Sequence, residues 1–310
     1  MDGQFHPAAG REAEHPYCGG SALKSFDYAA PRSVAEAAAL LAEHGERARV
    51  LAGGTDLIVQ MRAGRREPEL IVDVKDIPEL TEIAWDPGHG LTLGAAAPCY
   101  RIAAHERVRA HYPSLVEVAS LIGGTQIQGR ASIGGNLCNA APSADAVPLL
   151  IALSATCRII GPSGERTMAV EDFCTAPGRN ALGQGELLVS LHLPAPRPAQ
   201  GARYLRFIPR NEMDIAVAGA GVCVVLANGH FESARIALSS VAPTPLFVRE
   251  AGDALAGQPV NEESIARAAG IAKQAARPIS DMRGTVEYRR HLCEVLTRRA
   301  LQEAVARARK

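Results

Sequence analysis

Two short stretches of the chain concentrate the residue types that hold a ligand. The first is residues 129–145, Gly-Arg-Ala-Ser-Ile-Gly-Gly-Asn-Leu-Cys-Asn-Ala-Ala-Pro-Ser-Ala-Asp, small and polar between two apolar segments. Gly134 and Gly135 have no Cβ, so the backbone there tolerates positive φ and close approach to a ligand. Successive N–H groups in such a turn form an anion-binding concavity. Ser132 and Asn136 add side-chain hydrogen-bonding groups on either side. Asp145 heads the apolar run Ala146–Leu153. It reads either as a ligand group or as the N-cap of a helix with Pro148 in its first turn. The second stretch is residues 50–57, where an apolar strand end, Val50-Leu51-Ala52, runs into Gly53-Gly54-Thr55-Asp56-Leu57. Neither stretch is the GxGxxG of a Rossmann site or the GxxxxGK[ST] of a P-loop. Brought together in space, the two glycine pairs could share the two phosphates of one dinucleotide.

Other chemistry finds little support. Ser132, His192 and Asp145 could be drawn as a triad, but no nucleophile elbow accompanies them. The pairs Glu171-Asp172 and Glu262-Glu263 read as helix-start and surface charges. The nine histidines and seven cysteines form no HExxH or CxxC spacing, so no metal ligand set is expected in this chain. An odd number of widely spaced cysteines fits free buried thiols in a reducing cytoplasm. Lys and Arg number 33 against 33 Asp and Glu, which gives no general attraction to nucleic acid. No apolar run reaches the ~18 residues of a membrane span. The pattern is that of a cofactor holder rather than a site for acid–base catalysis.

The elements that would position these loops follow from periodicity. Residues 1–23 are polar, lack the apolar core of a signal peptide, and read as a flexible lead-in or partner-docking arm. Residues 24–74 read as a small βαβ-type unit. Ser33 and Glu36 form a capping box, Val34, Ala37, Ala38 and Leu41 an apolar helix face, and Gly45 a helix stop. Strands are expected at 48–51 and 70–74. Residues 75–200 read as a larger α+β unit with a strand at 91–95 and helices at 99–110 and 114–122. After the second glycine loop, a helix to about Leu153 and strands at 156–160 and 187–193 are expected. Pro194-Ala-Pro-Arg-Pro198 is the best linker candidate. Residues 201–310 read as a C-terminal α+β unit. Strands at 216–226 and 231–241 meet at Asn228-Gly229, a hairpin signal. Helices are expected near 246–256, 262–276 and 285–308, the last ending in a solvated face of alternating Arg and Ala.

Several pieces, in order, resemble one family. They are Phe26-Asp-Tyr-Ala-Ala-Pro31, Ala52-Gly-Gly-Thr-Asp-Leu57, Ser132-Ile-Gly-Gly-Asn136 with Asp145, and Glu186-Leu-Leu188. Asp214-Ile-Ala216, Val241-Ala-Pro-Thr-Pro245 and Arg283-Gly-Thr-Val-Glu-Tyr-Arg-Arg290 follow. Residues 24–303 thereby resemble the FAD-binding medium subunit of the molybdenum hydroxylases, which include xanthine dehydrogenase-like and carbon monoxide dehydrogenase enzymes. The resemblance implies an α+β fold: two FAD-binding subdomains of the vanillyl-alcohol-oxidase (PCMH) type, then a C-terminal α+β domain. It implies noncovalent FAD, held at Val50 to Leu57 and at Ser132, Ile133, Gly134, Gly135 and Asn136, with Asp145 accepting hydrogen bonds from the cofactor. Ile122, Leu188 and Arg206 match family positions that line the FAD, and Ile215 one that packs near the isoalloxazine. For Ile122, Leu188 and Ile215 a plain core role is an equal reading. An arginine at 206, where some relatives have lysine, suits an anionic cofactor.

The resemblance further implies two partner chains in a dimer of heterotrimers. A large subunit would carry molybdopterin-bound molybdenum, and a small one two 2Fe–2S clusters. This chain would pass electrons through FAD to a small-molecule or protein acceptor. No four-cysteine insertion is present, which disfavours the hydroxybenzoyl-CoA reductase branch. Two other readings are a stand-alone flavin oxidase and a non-catalytic nucleotide-binding or assembly protein.

Overall fold

The computed structural model describes residues 23–310, so the expected arm at 1–23 lies outside the described residues except for Leu23. Three sheets organise the chain. The first is parallel, with Asp27–Ala29 and Ala48–Leu51 on either side of Leu70–Asp73. A parallel pair needs a crossover, and helix Val34–His44 supplies it. Ser33 Oγ accepts from Glu36 N at 3.2 Å, and Gly45, at φ 54°, ends the helix. Glu36 closes the other half of the expected box differently, bonding Arg32 N at 3.0 Å.

The second sheet is antiparallel, in the order Ile83–Asp86, Gly90–Gly94, Leu187–Pro194, Thr156–Gly161 and Gly164–Ala169. Its central strand, Leu187–Pro194, is apolar almost throughout because both of its faces are covered. Helices Cys99–Ala104, Glu106–His111 and Pro113–Leu121 pack beside this sheet. The single helix expected at 99–110 is broken at His105, whose backbone is extended and whose Nδ1 accepts from Val108 N at 3.4 Å. The only tryptophan of the chain, Trp85, stacks on His111 with ring centroids 4.3 Å apart and meets Tyr112 edge-on at 5.6 Å.

The third sheet orders Gln200–Phe207, Ala218–Ala227, His230–Ser239 and Leu246–Phe247, all antiparallel. Its hairpin turns at Asn228 and Gly229, with φ of 50° and 77°, the left-handed pair a two-residue hairpin requires. The 23-residue helix Val286–Ala308 lies across it. Contact is close because Gly201 has no side chain: a Cβ there would stand 2.0 Å from Ala304 O.

The end of that helix corrects one expectation. Arg307 is not simply part of a solvated face. Its guanidinium donates to Ser114 Oγ (3.0 Å), Ala202 O (3.1 Å) and both oxygens of Glu117 (2.5 and 3.1 Å). Glu117 also takes Arg203, and Glu171 takes Arg235 and Arg249. Acidic residues of the first 200 positions thus anchor arginines of the last 110.

Candidate functional site

A cleft of ≈ 1130 Å³ opens where the first two sheets meet. One wall is the 50–57 loop. A Cβ on Gly53 would fall 2.2 Å from Arg130 O, so the two glycine-bearing stretches touch backbone to backbone. Gly54, at φ 76°, turns the chain in a conformation that glycine adopts without strain. The N–H groups of Gly53, Gly54, Thr55 and Asp56 donate to nothing among the described residues. Four successive donors are therefore unspent at this wall.

The second glycine stretch is not a turn. Gly134 and Gly135 lie inside helix Ile133–Asn139, with Ser132 as N-cap accepting from Gly135 N at 3.0 Å. Positive φ is not what these glycines supply; close packing is. A Cβ on Gly134 would come within 2.4 Å of Ala95 O. The N–H group of Gly134 is an orphan donor of the helix with no partner among the described residues, whereas that of Ile133 belongs to the antiparallel bridge between Pro98 and Ser132. Gln60 Nε2 donates to Asn139 Oδ1 at 3.0 Å and ties the two stretches together.

A strap over residues 175–187 completes the cleft. Asn180 Nδ2 donates to Cys138 O at 2.8 Å and Gly178 N to Ala140 O at 3.0 Å. Arg166 grips Glu186 with two bonds of 2.7 Å, which hold that carboxyl below its ordinary range, and it also bonds Ala181 O. Cys138 faces the cleft, but burial pushes its thiol up to about 12. It is a neutral wall residue rather than a nucleophile.

Asp145 departs from the expected side-chain cap. It is nearly buried, begins helix Ala146–Ala152, and makes no capping bond with its side chain. Its carboxylate accepts from Tyr204 OH at 2.8 Å and pairs with Arg206 at 2.5 Å. Burial raises its carboxyl, and the Arg206 charge and both hydrogen bonds oppose that. The capping is done instead by Asn136, whose Oδ1 accepts from Ala146 N at 3.3 Å.

Of the expected contact residues, Val50, Ala52, Gly53, Gly54, Thr55, Asp56, Leu57, Ile122, Ser132, Gly134, Gly135, Asn136 and Leu188 line the cleft. Five do not. Leu51 packs under the Gly54 turn, and Ile133 is fully buried in the core because its helix turns that face inward. Asp145 and Arg206 spend their charges on one another behind Asn136. Ile215 is 48 % exposed on a loop, so the plain core reading fails for it. Ser132, His192 and Asp145 form no triad, since Asp145 is held by Tyr204 and Arg206. The strap and the arginines Arg49, Arg65 and Arg66 were not anticipated. Pro177, Gly178, Gly183 and Gly185 were the available signal for the strap.

Asn136→Ala is expected to lower the stability of the flavin-free chain by ~1 kcal/mol, the usual worth of an N-cap. Thermal melts of the two apo proteins check this.

The cleft fits an elongated dinucleotide cofactor. It has five unspent backbone donors, four at residues 53–56 and one at Gly134, apolar walls at Ile122 and Leu188, and guanidinium groups at its rim. Among the described residues, no group of three or more His, Cys, Asp or Glu is arranged to hold a metal ion. No helix among them is long and apolar enough to cross a membrane.

Comparisons with known proteins agree with this geometry. Residues 24–196 match the family described as FAD binding domain in molybdopterin dehydrogenase. Residues 203–304 match the CO dehydrogenase flavoprotein C-terminal domain. The chain is 36% identical over 285 residues to the carbon monoxide dehydrogenase medium chain of Afipia carboxidovorans, covering 92% of this chain and 98% of that one. It is 33% identical over 288 residues to the xanthine dehydrogenase FAD-binding subunit of Escherichia coli O157:H7, covering 91% and 98%. Among solved structures, reconstituted CO dehydrogenase from Oligotropha carboxidovorans superposes with a TM-score of 0.88 at 36% identity, over 92% of this chain and 99% of that one.

Proposed function

Since the chain belongs to the FAD-binding subunits of the molybdenum hydroxylases, we propose that it carries electrons from 2Fe–2S clusters of a small partner subunit to an external acceptor. A large partner subunit holds the molybdenum–molybdopterin centre and oxidises the substrate, and two such heterotrimers pair. The observation that carries this reading is the meeting of the two glycine-bearing stretches, Gly53 against Arg130, at one cleft rich in unspent donors.

When bound, the flavin supplies the exchange between two-electron and one-electron chemistry. The chain's own residues bind and orient. The N–H groups of residues 53–56 and of Gly134 would hold the pyrophosphate, as helix starts and glycine loops do for anions. Ile122 and Leu188 exclude water from the apolar part of the cofactor. Asn136 fixes the start of helix Ala146–Ala152 behind the cleft. Asp145, Tyr204 and Arg206 fix the C-terminal sheet to that helix start.

The reading is tested by purifying the chain with and without its neighbours. The isolated chain is expected to take up FAD with oxidised-flavin absorption bands. Purification from the native host is expected to bring down one larger and one smaller subunit. Full-rate, substrate-dependent dye reduction by this chain alone contradicts the proposal.

A further inference from the structure

The rim of the cleft nearest Gly45 carries an unbalanced set of cations. Arg49, Arg65 and Arg66 all line it. Among the described residues, Arg49 donates only to backbone carbonyls, Glu46 O and Ala48 O, each at 2.7 Å. Arg65 and Arg66 have no side-chain partner among the described residues. Of the nearby carboxylates, Glu67 pairs with Lys24 at 2.7 Å and Glu69 with Arg47 at 3.0 Å, which leaves Glu46 as the acid on this rim. Glu186, the acid on the opposite wall, is taken by Arg166. Burial lowers the basicity of Arg49 and the neighbouring Arg66 charge lowers it further, with the Glu46 carboxylate opposing them. Three guanidinium groups against the one carboxylate of Glu46 leave net positive charge at this rim, which suits an anion that is not part of the chain.

We propose that Arg65 and Arg66, with Arg49 behind them, supply the counter-charge for the adenylate-bearing half of the bound dinucleotide, and so select FAD over flavin mononucleotide. This rests on the reading of the cleft as an FAD site. The backbone donors at 53–56 are common to any phosphate-bearing flavin. The arginine rim lies on the Gly45 and Gln184 side of the same cleft, and the adenylate half is assigned to that side. Selection therefore comes from side chains, and attraction over this distance depends on salt.

The test measures dissociation constants of FAD, FMN and ADP for the deflavinated full-length chain by titration calorimetry. Wild type is compared with Arg66→Gln, Arg66→Lys and Arg65→Gln. Arg66→Gln is expected to weaken FAD about tenfold, equivalent to 1.4 kcal/mol, to weaken ADP alike, and to leave FMN unchanged. Arg66→Lys keeps the charge and should retain most of the affinity. The fall of FAD affinity with salt should be shallower in Arg66→Gln than in wild type. Arg65 is exposed, so Arg65→Gln provides a second variant free of folding effects. Wild-type FAD affinity in both Gln variants overturns the proposal and leaves the reading of the cleft intact. A loss of FMN equal to that of FAD also overturns it. A wild-type chain that takes up no FAD overturns both.

Discussion

Gly53→Ala is expected to abolish flavin retention although it adds one methyl group. That methyl would lie 2.2 Å from Arg130 O and 2.7 Å from the carbonyl carbon behind it. Both are backbone atoms, so no side chain can swing aside. The 50–57 loop and the residue 130–131 segment must separate, and the donors on the two walls lose their common target. Overpacking of this kind costs typically 1–3 kcal/mol, and more where backbone must move. Because the strain falls on the cofactor-facing loop, the loss in FAD affinity should exceed the loss in apo stability. Gly270→Ala is the matched control. Gly270 sits within helix Glu262–Ala275, and a Cβ there meets nothing within 4 Å. Alanine in a helix interior is favoured over glycine by ~1 kcal/mol, so this variant should melt no lower than wild type. Flavin content per folded chain, measured beside melting temperature, checks both. Wild-type flavin content in Gly53→Ala would refute the account of the touching loops.

Asp145→Asn should destabilise the chain nearly as much as Asp145→Ala. Were Asp145 a helix cap, asparagine would replace it well, since the two cap about equally. The structure instead places the carboxylate against Arg206 and Tyr204 OH, with Arg206 also shielded from solvent. Removing one member of a buried pair leaves the other charge uncompensated and costs roughly 3–5 kcal/mol. An amide cannot supply the missing charge. Arg206→Met in the Asp145→Asn background removes the orphaned charge and should recover part of the loss. Chemical denaturation of the single and double variants measures this. Asn at wild-type stability would show that the ion pair contributes nothing.

The readable parts of this chain were those whose cause is local. The helix at 34–44 announced itself by Ser33, by its apolar face and by Gly45. The hairpin at Asn228-Gly229 did so by two residues that accept positive φ. The 50–57 loop was legible because a strand ending in Gly53-Gly54 has few other uses. What sequence did not disclose were choices among equivalent partners. Gly134-Gly135 has the composition of a turn, and only the Ser132 cap and the Ala95 backbone make it a helix start. Asp145 stands where a cap belongs, yet Asn136, nine residues earlier, does the capping. Arg307 looks like a solvated helix end until the fold brings Ser114, Glu117 and Ala202 to it. The rim arginines were hidden for the same reason: nothing in a sequence states that Glu67 and Glu69 pair with Lys24 and Arg47 rather than with Arg66.

The stacking of Trp85 on His111 has a practical consequence for anyone following this chain's unfolding. It is the sole indole of the molecule, and it lies in the five-stranded sheet, not in the C-terminal unit, whose aromatic residues include Tyr204, Phe207, Phe231, Phe247 and Tyr288. Indole emission therefore reports the melting of one half only. Loss of the long helix Val286–Ala308 is silent in that signal but prominent in far-ultraviolet dichroism. Coincidence of the two curves is thus a direct measure of whether the acid–arginine anchors make the halves unfold as one.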